Sequence, residues 1–134
     1  LEMEELTLPL QDMLLEKMQI VRITEKDIVD TIMLLREHSI GYGSALETID
    51  ARYLARLLSQ DWGFYYTVTT NLIKVESRLE GYVELTEEDR ADVSSKIGFL
   101  IKILEAEPKT FGWKLRARVG TRSKWYNDVE DVDR

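Results

Sequence analysis

The densest chemistry in this chain lies between Lys109 and Tyr126. There Lys109, Lys114, Arg116, Arg118, Arg122 and Lys124 are interleaved with Phe111, Trp113, Trp125 and Tyr126, and no acidic residue intervenes. Against a formal net charge of −7, this segment carries +6 and the remainder −13, so a polyanion would be met here rather than on the general surface. Cations in such a run grip phosphates while the rings stack on bases or pack on sugar edges. The same composition also serves an intramolecular purpose, with the cations paired to acidic residues and the tryptophans filling the core or a subunit interface. Gly120-Thr121-Arg122-Ser123-Lys124 has the glycine, hydroxyls and cations of an anion-binding loop.

Other candidates point away from catalysis. Glu87-Glu88-Asp89 with Asp92, and Asp128, Glu130, Asp131 and Asp133, offer oxygen ligands to a divalent cation. The first group stands where a helix cap would, and the second lacks the glycine and spacing of a calcium loop and reads as a solvated, frayed tail. His38, the single imidazole, forms no nucleophile–base–orienter set with Ser39 or Tyr42, and is expected at a helix C-terminus. Phosphate-binding glycine loops, metal-binding helix motifs and dinucleotide fingerprints are absent from the sequence. The expectation is therefore no enzyme, no metal and no cofactor.

At 134 residues, 44% apolar and 32% charged, the chain is long enough for one cored domain, with or without an appendage. Zero cysteines exclude disulfides, thiolate zinc sites and thiol catalysis. No apolar run approaches the ~18–20 residues of a membrane span, and no basic-then-apolar leader opens the sequence. The expected setting is intracellular, cytoplasmic or nucleoid-associated, away from membranes. Leu1 and Glu2, ahead of Met3, read as a cloning remnant and are set aside.

Periodicity supplies the elements that must position these groups. Thr7 and Pro9 can open a first helix with Leu10, Met13, Leu14, Met18 and Val21 on one face. Thr24-Glu25-Lys26-Asp27 resembles a capping box, followed by Ile28, Ile32 and Leu35 at helical spacing. Ser39-Ile40-Gly41-Tyr42-Gly43 reads as a loop. Ser44-Ala45-Leu46-Glu47 is a second capping box that can start a third helix at Ala45, lined by Leu46, Ile49, Tyr53 and Leu57. Residues 64–70 have strand propensity, yet Phe64, Val68, Leu72, Val75 and Leu79 share a face only in a helix, expected from about Tyr66. Thr86 caps a further helix with Val93, Ile97, Leu100, Ile101 and Leu104 as its stripe, ended by Pro108. After Pro108 the pattern fits strand and helix equally: Trp113 to Val119 alternates, while Phe111, Leu115 and Val119 step by four.

One stretch carries a family resemblance. Ala51, Leu54, Ala55, Leu57 and Leu58 make a short apolar helix, a turn runs through 59–66, and Thr67-Val68-Thr69-Thr70-Asn71-Leu72 opens the next helix, which ends near Gly81-Tyr82-Val83. This cadence resembles a winged helix-turn-helix domain over residues 24–85, with 27–38 as its first helix and 79–86 as the exit into a wing strand. The resemblance implies that Thr69, Thr70, Asn71, Lys74 and Arg78 face base edges in the major groove, with Lys114, Arg116, Arg118, Arg122 and Lys124 on phosphate.

The resulting expectation is an all-α or mostly α fold of five to six helices, with a winged-helix-like core and a reduced wing. Residues 1–23 hold an N-terminal helix, 24–107 a helical core with the helix-turn-helix-like segment at 50–85, and 108–134 a basic-aromatic segment and acidic tail. Aliphatic stripes on the flanking helices exceed what a three-helix core covers, so a homodimer is expected. The expected function is a DNA-binding or transcription-regulatory module on double-stranded DNA. The alternative is a non-enzymatic protein-interaction module with an aromatic and basic C-terminal docking segment. A basic surface merging the recognition helix with 114–124 favours DNA, and a neutral recognition face favours the protein partner.

Overall fold

The fold is described from a computed structural model that covers residues 9–43 and 47–126. Thr7, the Ser44 capping box with Leu46, and the acidic tail at 127–134 lie outside the described residues. Among the described residues the chain is mostly α: six helices, α1 (Leu10–Met18), α2 (Glu25–Glu37), α3 (Ala51–Leu58), α4 (Trp62–Arg78), α5 (Glu87–Ala106) and α6 (Phe111–Val119). Short 3-10 turns, Leu79–Gly81 and Gly120–Arg122, follow α4 and α6. None of these helices is long and apolar enough to cross a membrane.

Side-chain caps set where the helices begin. Thr24 and Asp27 form a reciprocal box at α2, with each side chain satisfying the other's backbone N–H. Thr86 caps α5 in one direction, its hydroxyl accepting from Asp89 N at 3.0 Å, and three acids in the first turn complement the helix dipole. Of the acids near this end, Asp89 faces Arg36 and Asp92 pairs with Lys96. The helix ends at Ala106, and Glu107 is already extended ahead of Pro108.

Caps also account for two departures from the periodicity. The third helix starts at Ala51 rather than Ala45, because Asp50 is its cap: Oδ1 accepts from Tyr53 N and Gly43 N, each at 3.1 Å. Residues before it are extended, and β2 (Thr48–Asp50) pairs in parallel with β1 (Ser39–Gly41), in the register Ile40 opposite Ile49. The stretch read as a loop is therefore partly strand, too short for alternation to show. Ile49 is buried from the strand, whereas Tyr53 faces solvent. Asp61 caps α4 by accepting from Phe64 N at 3.1 Å, so the helix begins at Trp62, four residues before the expected Tyr66. A cap hydrogen bond and a long apolar stripe outweigh the strand propensity of 64–70.

The expected wing strand is a further correction. Residues 79–86 form a 3-10 turn and a bend, not a strand. The Arg90 guanidinium donates to Leu79 O at 3.2 Å and to Tyr82 O at 3.0 Å, occupying carbonyls that a ladder partner would need.

Around the central α4 pack α1, α2, α3 and α5, while α6 lies on its outer side. Leu14, Met18, Ile28, Leu35, Leu72, Val75, Ile97, Leu100 and Leu104 are all buried in one cluster. This corrects the premise behind the expected homodimer. The stripes of α1 and α5 are covered within the chain, each fully buried aliphatic contributing about 1.5–3 kcal/mol, with Leu10 and Ile101 packed at the margin. Only Met13 of those named remains outside. The first helix also stops at Met18, so Val21 lies beyond it.

Candidate functional site

The α4 face expected to read bases is largely spent on the fold. Asn71 is 4% exposed, and its amide donates to Met18 O and Ile20 O, both at 2.7 Å. It thus satisfies carbonyls at and just past the end of α1, where the helix has no further N–H to offer. The Thr69 hydroxyl bonds back to Tyr65 O at 2.9 Å, a use of threonine common inside helices. Arg78 pairs with Glu25 at 2.8 Å, and the Tyr82 hydroxyl donates to the same carboxylate. The Tyr82 hydrogen bond, then that of Arg78, hold the Glu25 carboxyl below its usual range, and Glu25 in turn pushes Tyr82 up. Thr70 and Lys74 are exposed. Asn71 is thereby corrected from base reader to internal clamp, and Arg78 is neutralised by an acid.

At the other end of α4 an aromatic cluster anchors the C-terminal segment. Trp62 and Tyr66 stack at 5.1 Å, and Trp125 meets both edge-on. The Trp125 indole N–H donates to Thr67 Oγ1 at 2.9 Å. Gly63 allows this approach: a Cβ there would stand 2.8 Å from the Trp125 carbonyl oxygen.

Half of the basic run, Lys109, Arg116 and Arg122, serves carbonyls of its own chain. Lys109 donates to Leu104 O, Glu105 O and Glu107 O at 2.7–3.0 Å, closing the end of α5. Its ammonium also sits 5.3 Å from the Tyr65 and Trp113 ring centres, and burial pushes its pKa down. Arg116 lies over Trp62 at 5.0 Å and donates to Gly120 O and Ser123 O, each at 2.8 Å. The loop read as an anion site, 120–124, therefore turns carbonyls onto a guanidinium, the reverse polarity. Gly120 makes that turn with φ +61°. Arg122 caps α6 by donating to Arg118 O and Val119 O, and Lys124 lies 5.0 Å from the Tyr126 ring centre. Arg116 and Arg122 thus spend guanidinium donors on carbonyls of their own chain, although Arg122 remains exposed. Lys114 and Arg118 are exposed and have no ion-pair partner among the described residues.

Helix α6, capped by Thr110, settles the strand-or-helix ambiguity, and it is oriented inside out. Trp113, Arg116 and Ala117, at i, i+3 and i+4, form the half-buried side, where Trp113 meets Tyr65 and Arg116 meets Trp62. Phe111, Leu115 and Val119, at i, i+4 and i+8, point the other way and are 75%, 48% and 39% exposed. No residue of this helix is fully buried. Lys114 and Arg118 border the exposed apolar stripe at the same four-residue step.

The two basic regions do not merge. Trp62, which carries Arg116, and Arg78 stand sixteen residues apart on one helix, about 24 Å along its axis. Elsewhere, His38 follows α2 with extended backbone, and its Nδ1 is buried without a hydrogen-bond partner among the described residues. No protein-family model matches the chain, and no curated protein and no solved structure matches it.

Sequence reasoning marked Phe111, Leu115 and Val119 as a helical stripe but had no means of telling that it faces solvent. The four-residue spacing was the available signal. Its direction depends on which side Tyr65 and Trp62 engage.

Proposed function

We propose that this chain is a non-enzymatic protein-interaction module whose docking surface is the outward face of α6. The observation that carries the reading is the exposed stripe Phe111, Leu115 and Val119, bordered by the uncommitted cations Lys114 and Arg118. A stripe of this kind on a rigid helix fits an amphipathic partner helix laid alongside it, and the bordering cations select acidic flanks on that partner. DNA binding has weaker support, since Asn71, Arg78, Arg116 and Arg122 are engaged internally. The proposed setting is intracellular.

The probe is a designed labelled peptide of about four helical turns, with leucines at i, i+4 and i+8 flanked by glutamates. Fluorescence anisotropy is expected to show saturable binding with a Kd of tens to hundreds of micromolar, the range of a small interface. Phe111→Ser with Leu115→Ser should remove it. Lys114→Glu with Arg118→Glu should weaken it at low salt and much less at high salt. Binding of random duplex DNA near physiological salt, with a steep salt slope and no peptide binding, would overturn the proposal in favour of DNA.

A further inference from the structure

The chain itself carries a surface complementary to α6. Helices α1 and α2 run side by side, and an open groove of about 600 Å³ lies between them, floored by Met13, Met33 and Leu34. Met13 and Met33 are each more than a third exposed, and methionine adapts its shape to an incoming apolar side chain. Glu16, Asp30 and Glu37 stand on the groove walls beside a single cation, Lys17. Lys17 pairs with Asp30 at 2.9 Å and Asp27 at 3.4 Å, Lys26 shares Asp30 at 2.9 Å, and Arg36, outside the lining, meets Glu37 at 3.1 Å. The lining itself still holds three carboxylates to one ammonium, and Glu16 has no ion-pair partner among the described residues.

We infer that the occupant of this groove is α6 of a second copy, so that the chain associates head to tail. The inference rests on the docking reading of α6 and names its partner. Charge decides the arrangement. Two grooves face to face would oppose carboxylates, and two α6 faces would oppose Lys114 and Arg118; only groove against α6 brings opposite signs together. Length agrees as well, since α1 and α6 are nine residues each, about 13 Å. The match cannot be made within one chain while Trp113 and Arg116 hold the inner side of α6 on Tyr65 and Trp62, because the apolar stripe then faces away from its own body. A contact of this kind is heterologous: a pair keeps one free groove on one copy and one free α6 on the other, and growth continues until a ring closes. One helix on a two-helix groove buries less than the roughly 1,200 Å² of a standard interface, so the association is weak and concentration-dependent.

Complementation between two single-site variants tests this. Sedimentation velocity on the wild-type chain from about 10 to about 500 μM should show the weight-average size rising through dimer towards larger species. Leu115→Asp, which spoils α6, and Met33→Asp, which spoils the groove, should each sediment as monomers. Their equimolar mixture should form a dimer and nothing larger, because each supplies the half that the other lacks. Circular dichroism and tryptophan emission identify variants that fail to fold. In that event the surface pair Lys114→Glu with Arg118→Glu and Glu16→Lys with Glu37→Lys replaces them, and the mixture of reversed charges should again pair. A wild-type chain that stays monomeric throughout overturns the inference, as does a mixture that fails to pair. If the acidic peptide still binds the monomeric chain, the docking function stands and only the second copy is excluded; if it does not, both fall.

Discussion

Helices α4 and α6 carry similar side chains to opposite ends. On α4, Asn71, Thr69 and Arg78 are donors of the types that read DNA, yet all three bond within the chain. On α6, a shorter helix of less regular composition, Phe111, Leu115, Lys114 and Arg118 are left to solvent. The contrast shows that residue type alone does not make a recognition surface. A central helix is surrounded, so its polar groups must find internal partners or lose stability. A helix at the margin has one side to satisfy, and what remains is available to others.

The largest expected effect tests the α4 half of that contrast. Asn71→Leu leaves Met18 O and Ile20 O without their donor in a closed setting, and should cost about 2–4 kcal/mol of unfolding free energy in urea. A loss near zero would mean that the clamp is dispensable and that Asn71 is retained for something else. Gly63→Ala should come next. The added carbon is relieved most cheaply when Trp125 and its neighbours lift from α4, an overpacking cost of about 1–3 kcal/mol against roughly 0.5–1 kcal/mol gained by alanine in a helix. Tryptophan emission should shift to the red as the indole is hydrated, and an unshifted spectrum would break the account of the anchor.

A smaller effect lies in acid. Glu25 titrates below its usual range because of Tyr82 and then Arg78. Its contribution is therefore present above the unfolded carboxyl value and is lost as pH falls through the folded one. Urea midpoints of the wild type and Glu25→Gln should converge as pH drops from about 5 to about 3. Divergence in that window would contradict the assigned partners. Exposure of this pair keeps the effect slight. The smallest change is expected on α6: Phe111→Ser and Leu115→Ser should each alter stability by no more than about 0.5 kcal/mol. A cost of several kilocalories would show that the stripe belongs to the core, erasing the comparison between the two helices.

Much of this architecture is legible in the sequence because it depends on neighbours three or four residues apart. Thr24 with Asp27 and Thr86 with Asp89 are caps contained in a four-residue window. The stripe Val68, Leu72, Val75 and Leu79 reports burial without reference to any other element. Local chemistry also misled where two local signals competed, as at 64–70, where strand propensity hid the Asp61 cap. The β1–β2 pair was beyond reach for another reason: strands of three residues show no period, and their partner lies across an intervening segment.

By itself, then, the sequence determined the mostly helical class, the caps at Thr24 and Thr86 and the apolar faces of α2, α4 and α5, all consequences of backbone geometry acting over one or two turns. Tertiary structure decided which polar groups are consumed. Asn71 meets carbonyls about fifty residues away, Glu25 meets Arg78 and Tyr82, and α6 turns its tryptophan inward because Tyr65 waits on α4. Those pairings join groups distant in the chain. Their free energy comes from desolvation and from hydrogen bonds that exist only once the helices have packed.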